Sequence, residues 1–362
     1  MKRKHLLLIS SLIFFSFIVR EKSAQQLVRT IIEYFSERPM ERVFVHHDKP
    51  FYAAGDELWY AAYVLNYNSN TSSSLSEILN IEIFNKMGTQ VAKEKVQIAN
   101  GFANGLIQLP DSLSPDYYLI KAYTNWSRNF EDGLFFNHYI KIVSPNYEGK
   151  SPASWRVQFF PEGGKILEKK LNTIAFKTNF NAATNAFLVD SQNDTIDELS
   201  YDGKGFGILK VVPKSEGERY FLLFEQDENR YPLPNVQGSG SLLRLQETQT
   251  AFRLFLENSN DLNEKEFSLL ILNNGNIVTA SDRLFSNNGM LLGLPKSDLP
   301  VGINHILIFD ENQNILNQRL INNPVKELGS LNIETQKKWI TGEMIDLEIS
   351  SEYKELAQFS VS

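Results

Sequence analysis

The chain has 362 residues, no cysteine and a formal net charge of -7. The missing cysteine excludes a disulfide framework, a thiolate metal site and a cysteine nucleophile. Hydrophobic residues make up 42%, enough for packed cores, and no Lys/Arg-rich run marks a nucleic-acid groove.

Lys2, Arg3 and Lys4 precede an uncharged apolar run from Leu6 to Val19. A basic start, a short apolar stretch and the small pair Ser23–Ala24 predict a secretory signal peptide over residues 1–24, cut near Ala24 or Gln25. The apolar run is shorter than the ~20 residues that span a bilayer, and no later segment is apolar enough. The charged Arg20–Glu21–Lys22 crowds the cleavage position, so an uncleaved anchor is the alternative. The expected mature chain is exported, to the periplasm or the outer-membrane surface, and has no transmembrane segment.

One helix follows. Leu27, Ile31, Tyr34 and Phe35 fall at helical spacing, and Pro39 stops the run. The pattern then switches to period two. Leu79, Ile81 and Ile83 alternate with Asn80, Glu82 and Phe84; Tyr118, Ile120 and Ala122 alternate with Leu119, Lys121 and Tyr123. Leu58 to Leu65 is apolar on both faces, as in a central buried strand. Turn signals separate these runs, among them Asn100–Gly101, Asp202–Gly203 and Asn274–Gly275. Many short, glycine-punctuated strands predict an all-β chain of tandem immunoglobulin-like sandwiches with a short N-terminal helix.

Polar linkers place sandwiches at 26–144, 155–236 and 241–323, strung in series. Residues 329–362 read as the incomplete start of a fourth, as if the chain were the front part of a longer polypeptide. Three internal echoes point to repeated copies of one unit. Leu109–Pro110–Asp111–Ser112 matches Leu294–Pro295–Lys296–Ser297. Tyr52-x-x-Gly55–Asp56-x-Leu58 matches Trp339-x-x-Gly342–Glu343-x-Ile345. Ile83–Phe84–Asn85-x-x-Gly88 loosely matches Ile308–Phe309–Asp310–Glu311–Asn312.

The stretch Val43 to Trp59 contains Asp48–Lys49–Pro50, then Tyr52, then Gly55–Asp56. It resembles the opening of a macroglobulin-type domain of the alpha-2-macroglobulin superfamily, with His47 in place of Thr and Ala54 in place of Pro. With Leu109–Leu113, Ala122–Asn129 and Val157–Gly164, the order is similar to a group of exported Bacteroidetes proteins. That resemblance implies tandem macroglobulin-like sandwiches, often followed by a TonB-receptor-type plug domain. No plug segment is present in this sequence. The thioester of the superfamily needs a cysteine, so covalent trapping is excluded.

No hydrolase, metalloprotease or phosphate-loop motif occurs. His46 and His47 are adjacent and would point to opposite faces of a strand, so they cannot share one metal. His138 and His305 are isolated in sequence. Asp48, Asp56, Asp111 and Asp116 lack the dense spacing of a calcium loop. Gly203-x-Gly205-x-Gly207 leads into a strand and reads as a hairpin turn. No cofactor and no metal are expected. The candidate binding residues are Tyr123, Asn125, Trp126, Arg128, Asn129 and Phe130, in and beside one loop; aromatic, amide and guanidinium groups together suit sugars or peptides. The competing reading is that Trp126 caps the sandwich end. The expected role is a non-catalytic envelope scaffold or presentation protein, its partner another envelope protein or an extracellular polymer. A carbohydrate- or peptide-binding module and a thioester-free protease trap are the alternatives.

Overall fold

The structure, a computed structural model, describes residues 23–130, 132–143, 157–180, 182–287, 289–324, 331–334 and 348–351. Residues 1–22 of the predicted signal segment, the polar linker 144–152 and the Trp339 echo lie outside them. The fold is all-β, with one α-helix, α1 (Ser23–Glu37). No helix among the described residues is long and apolar enough to cross a membrane.

The first sandwich contains β1 (Glu41–His47), β2 (Phe51–Ala53), β3 (Glu57–Asn66), β4 (Ile78–Phe84), β5 (Gln90–Gln97), β6 (Phe102–Gln108), β7 (Asp116–Thr124) and β8 (Phe136–Val143). One sheet runs β1-β3-β6 and the other β2-β8-β7-β4-β5. The second contains β9 (Val157–Pro161), β10 (Ile166–Leu167), β11 (Asn172–Thr178), β12 (Thr184–Val189), β13 (Thr195–Tyr201), β14 (Phe206–Val211), β15 (Phe221–Phe224), β16 (Tyr231–Pro232) and β17 (Val236–Gln237). Its sheets run β14-β11-β9 and β13-β12-β15-β16, with a small β10-β17 pair. The third contains β18 (Ser241–Glu247), β19 (Ala251–Asn258), β20 (Glu266–Asn273), β21 (Asn276–Leu284), β22 (Met290–Pro295), β23 (Gly302–Phe309) and β24 (Ile315–Asn323), in sheets β18-β19-β22 and β21-β20-β23-β24. Beyond it, β25 (Leu331–Glu334) pairs antiparallel with β26 (Glu348–Ser351).

With the small accessory strands β2, β10 and β17 set aside, each sandwich has main strands A to G in chain order. All then have one connectivity: A-B-E faces D-C-F-G. This is the repeat, written in topology. The Leu-Pro echo falls at the end of strand E in both copies, after β6 and in β22. The Ile-Phe echo does not correspond: Asn85 lies in a C–D turn and Asp310 in an F–G turn. The match reflects turn chemistry. Asn85 Oδ1 accepts from the amides of Met87 and Thr89, and Asp310 Oδ1 from those of Asn312 and Asn314. The Gly203–Gly207 run joins β13 to β14 across the two sheets, so it is a crossover and not a hairpin.

Each sandwich has its own buried apolar cluster, drawn from the inward positions of both sheets. A fourth cluster joins Leu27 and Ile31 of α1 to Leu270, Leu307 and Phe309 of the third sandwich. The helix therefore does not pack on the sandwich that follows it in the chain. Its apolar stripe covers the outer face of β20 and β23, and the amide of Ala24 donates to Asp282 Oδ1 at 2.9 Å.

The order of contact is not the order of the chain. The third sandwich touches both others, where a simple series was expected. Asn276 Nδ2 donates to the Asn68 carbonyl at 2.7 Å and Arg42 Nη1 donates to Asn274 Oδ1 at 3.4 Å, while Phe35 of α1 stacks on Tyr67 at 5.9 Å. On the other side, Glu162 Oε1 accepts from the Leu245 amide at 3.2 Å and pairs with Arg319 at 3.5 Å. Gly163 sits at φ +86, and a Cβ there would come 3.1 Å from the Leu243 amide nitrogen. The Pro161–Glu162–Gly163 motif is thus a junction between sandwiches.

Replacing Leu27 with Ala should remove about 2 kcal/mol of packing between α1 and the third sandwich. Hydrogen exchange should rise in β20 and β23 and stay unchanged in β4 and β7. Equal protection in all four strands would show that the helix adds nothing there.

Candidate functional site

The loop after β7 is built from a buried carboxyl. Glu41 is fully buried and accepts hydrogen bonds from Ser73 Oγ at 2.6 Å, Ser76 Oγ at 2.6 Å and Thr124 Oγ1 at 2.8 Å. Ser127 Oγ in turn accepts from the Thr124 amide at 3.1 Å and donates to its carbonyl. The chain is thereby bent into the short 3-10 turn Ser127–Asn129. Trp126 is 38% exposed, yet its Nε1–H donates to the Pro39 carbonyl at 2.6 Å. Its ring meets Phe130 edge-on at 6.0 Å.

The sequence-predicted residues do not form one surface. Asn125, Trp126 and Asn129 line a groove of about 360 Å³ with Leu75 to Ile78. Tyr123 stands apart on the outer face of the five-stranded sheet, 5.2 Å from the Phe135 ring. Burial, and then the negative charge of Glu82, raise the pKa of the Tyr123 hydroxyl. Arg128 is exposed, and Phe130 sits behind Trp126. The loop reads first as an anchor that ties β7 to the α1–β1 connection, with a small groove beside it.

The Asp48 to Asp56 motif is also architectural. Tyr52 is fully buried, and its hydroxyl donates to Asp48 Oδ1 at 2.8 Å and accepts from the Lys49 amide at 3.2 Å. Asp48 Oδ1 also accepts from the Trp59 amide at 3.1 Å. Asp56 Oδ2 accepts from the Ala53 amide at 3.0 Å. Gly55 has φ +81, and a Cβ there would collide with Asp111 Oδ1. Two motifs far apart in sequence therefore meet at this corner. Lys86 pairs with Asp116 at 2.8 Å. These acids are spent on turns and pairs, and no group of three or more His, Cys, Asp or Glu placed to hold a metal occurs among the described residues.

What the sequence reading missed lies on the outer face of β1-β3-β6. Leu58, Tyr60, Ala62 and Val64 of β3 are buried, as expected. Trp59, Ala61, Tyr63 and Leu65 point the other way, and Trp59 is 52% exposed. Register puts Phe44 beside Tyr63 and Tyr63 beside Phe102. Phe44 is 54% exposed, lies 6.4 Å from Tyr63 and meets Phe136 edge-on at 5.9 Å. Tyr63 and Phe102 are 5.5 Å apart. The result is an aromatic belt across an open sheet face. Its signal was the two-faced apolar run of β3 itself, taken as evidence of full burial.

Replacing Glu41 with Ala leaves three hydroxyls without their acceptor and should cost about 3 kcal/mol in denaturant unfolding. Trp126→Phe loses one hydrogen bond and should cost about 1 kcal/mol. A smaller effect for Glu41 than for Trp126 would reverse this account of the loop. At the other end of β1, burial holds His47 below the ordinary histidine pKa, and the neighbouring His138 and His46 act in the same direction; the Lys49 carbonyl and Asp48 oppose them. The unfolded chain then binds a proton more readily than the folded one. This contribution to stability is present above about pH 6.5 and is lost as pH falls through the lowered folded value. His47→Gln should flatten the fall in melting temperature across that range, and an unchanged slope would contradict it.

No family profile and no curated protein matches the chain. Among solved structures, the chain is similar to Escherichia coli alpha-2-macroglobulin activated by porcine elastase. That alignment has 11% identity and a TM-score of 0.31, over 86% of this chain and 33% of that one. Dimeric latent PorU from Porphyromonas gingivalis aligns at 8% identity and a TM-score of 0.32, over 86% and 34%. A biofilm-associated protein BSP domain aligns at 6% identity and a TM-score of 0.26, over 80% and 67%. The chain spans about a third of the length of the first two proteins. These neighbours include alpha-2-macroglobulin-type structures, and the likeness is one of fold alone.

Proposed function

We propose that the chain is a non-catalytic scaffold of the cell envelope that presents the outer face of β1-β3-β6 to a protein partner. One observation carries this reading: an aromatic belt of Phe44, half-buried Tyr63 and half-buried Phe102 crosses an outer sheet face on which Phe44 and Trp59 are more than half exposed. The same chain shows how such a face is covered. The outer positions of β20 are buried because α1 lies over them. A two-faced apolar strand left uncovered is a surface kept for something else.

A protein fits this face better than a sugar. The belt itself is aromatic, and the Trp59 indole N–H is already turned to Glu57 Oε2 at 3.2 Å. Polar residues on the same face, among them His46 and Asn104, fall in the next register row and flank the belt. Protein interfaces favour buried aromatic anchors of this kind. Export is part of the proposal and rests on the basic and apolar start of the sequence. The macroglobulin-like character, a continuation towards a TonB-receptor-type plug and an origin in Bacteroidetes rest on the sequence resemblance. Thioester-free trapping of proteases has no observation of its own to favour it, whereas the aromatic belt favours a docked partner.

The test places a photo-crosslinking residue at position 63 and, separately, at position 208, which is exposed in the second sandwich. In cells that make the protein naturally, position 63 should give a discrete protein adduct in the envelope fraction. Position 208 should not. Adducts of equal yield at both positions, a carbohydrate adduct, or a chain found in the cytosol would overturn the proposal.

A further inference from the structure

His47 ends β1, and His138 lies on β8. Both strands are edges at that point: β1 is the outer strand of its sheet, and β2 pairs with β8 only at Lys141, Ile142 and Val143. A cleft of about 350 Å³ opens there, lined by Phe44, Phe136 and the two imidazoles among others. The ring centroids are 5.2 Å apart, with planes inclined at 40°. That inclination is not a parallel stack. The spacing lies within the ordinary range of ring contacts and also accommodates two rings on a shared ion. With metal–nitrogen bonds of about 2.0 Å and ring centres about 1.1 Å behind the nitrogens, tetrahedral coordination puts the two centres roughly 5 Å apart.

The surroundings fix which nitrogen of His47 is free to ligate. Its Nδ1 lies 2.8 Å from the Lys49 carbonyl oxygen and 3.2 Å from Tyr52 Oη. A carbonyl can only accept, so Nδ1 carries the hydrogen and the neutral ring keeps its lone pair on Nε2. A backbone carbonyl on the second nitrogen is the usual support of a metal-bound histidine. Tyr52 is fully buried and is itself held by Asp48 Oδ1 at 2.8 Å, so this support is rigid. Adjacent His46 and His47 cannot converge on one ion, but folding brings His47 to a histidine from another strand. We propose that His47, through Nε2, and His138 form a two-imidazole site for a divalent transition ion at the lateral mouth of the first sandwich. Imidazole selects zinc, copper or nickel over calcium and magnesium. Water or a group from a partner completes the coordination.

Zinc chloride titrated by calorimetry into the full chain, freed of metal beforehand, tests the site. The expected result is saturable uptake of about one ion per chain, weakened roughly tenfold or more by His138→Asn and by His47→Gln. His305→Gln should leave it intact. His138 is exposed, so His138→Asn should keep the parental melting temperature and decide the outcome even if His47→Gln loosens the fold. Cobalt in place of zinc should give the absorption of a low-symmetry site, and that absorption should vanish in His138→Asn. Absence of saturable uptake, or uptake unchanged by His138→Asn, overturns the assignment.

Discussion

An apolar strand with two apolar faces needs two covers, and much of this molecule follows from how that need is met. In the third sandwich, Phe267, Leu269 and Ile271 face the core, while Ser268 and Leu270 face outward, and all five are buried. The second cover is α1. It is supplied from the far end of the chain and held by Leu27 and Ile31. In the first sandwich, β3 has the same two-faced character, but Trp59, and Phe44 farther along the face, remain more than half exposed. The hydrophobic effect acts equally on both faces. An uncovered face of this kind is therefore a deficit in the isolated chain that a partner can relieve.

The sandwiches share one connectivity but not one set of corners. The A-B-E and D-C-F-G arrangement needs only alternating burial and turns of suitable length, which dissimilar sequences can satisfy. Specific residues gather where the backbone must turn sharply or where sandwiches meet. Gly55 makes room for Asp111, Glu41 gathers three hydroxyls, and Glu162 with Gly163 joins the second sandwich to the third. Short motifs in this chain are thus mostly records of joints. That accounts for the Tyr123–Phe130 stretch, whose tryptophan spends its polar hydrogen on Pro39.

The strands, their turns and the helix were legible because each leaves a local trace. Alternation in β4 and β7 gave the buried positions Leu79, Ile81, Ile83, Tyr118, Ile120 and Ala122 directly. Three-dimensional neighbours were not legible. Nothing in the spacing of Leu27 and Ile31 says which sheet they cover, and the helix belongs by contact to a sandwich more than two hundred residues away. The periodicity of β3 marked both faces as apolar but could not say that one lacks a cover. The meeting of His47 with His138 depends on the gap between two sheet edges, a property of tertiary packing alone. Lone histidines in sequence carry no such information.

Contact between the first and third sandwiches changes what the open face can do. Three serial domains joined by linkers alone would move independently. Here Arg42, on the same face of β1 as Phe44, donates to Asn70 and to Asn274 of the third sandwich. Phe35, at the end of α1, stacks on Tyr67 and limits the space at Gly275. The edge of the aromatic belt is therefore tied to the helix that covers β20. A partner docking on β1-β3-β6 would meet a surface whose orientation is fixed by the third sandwich, and would lose less entropy than on a freely swinging domain. The helix then has two effects from one position: it buries the outer face of one sheet, and it helps fix the direction in which the uncovered face of another is presented.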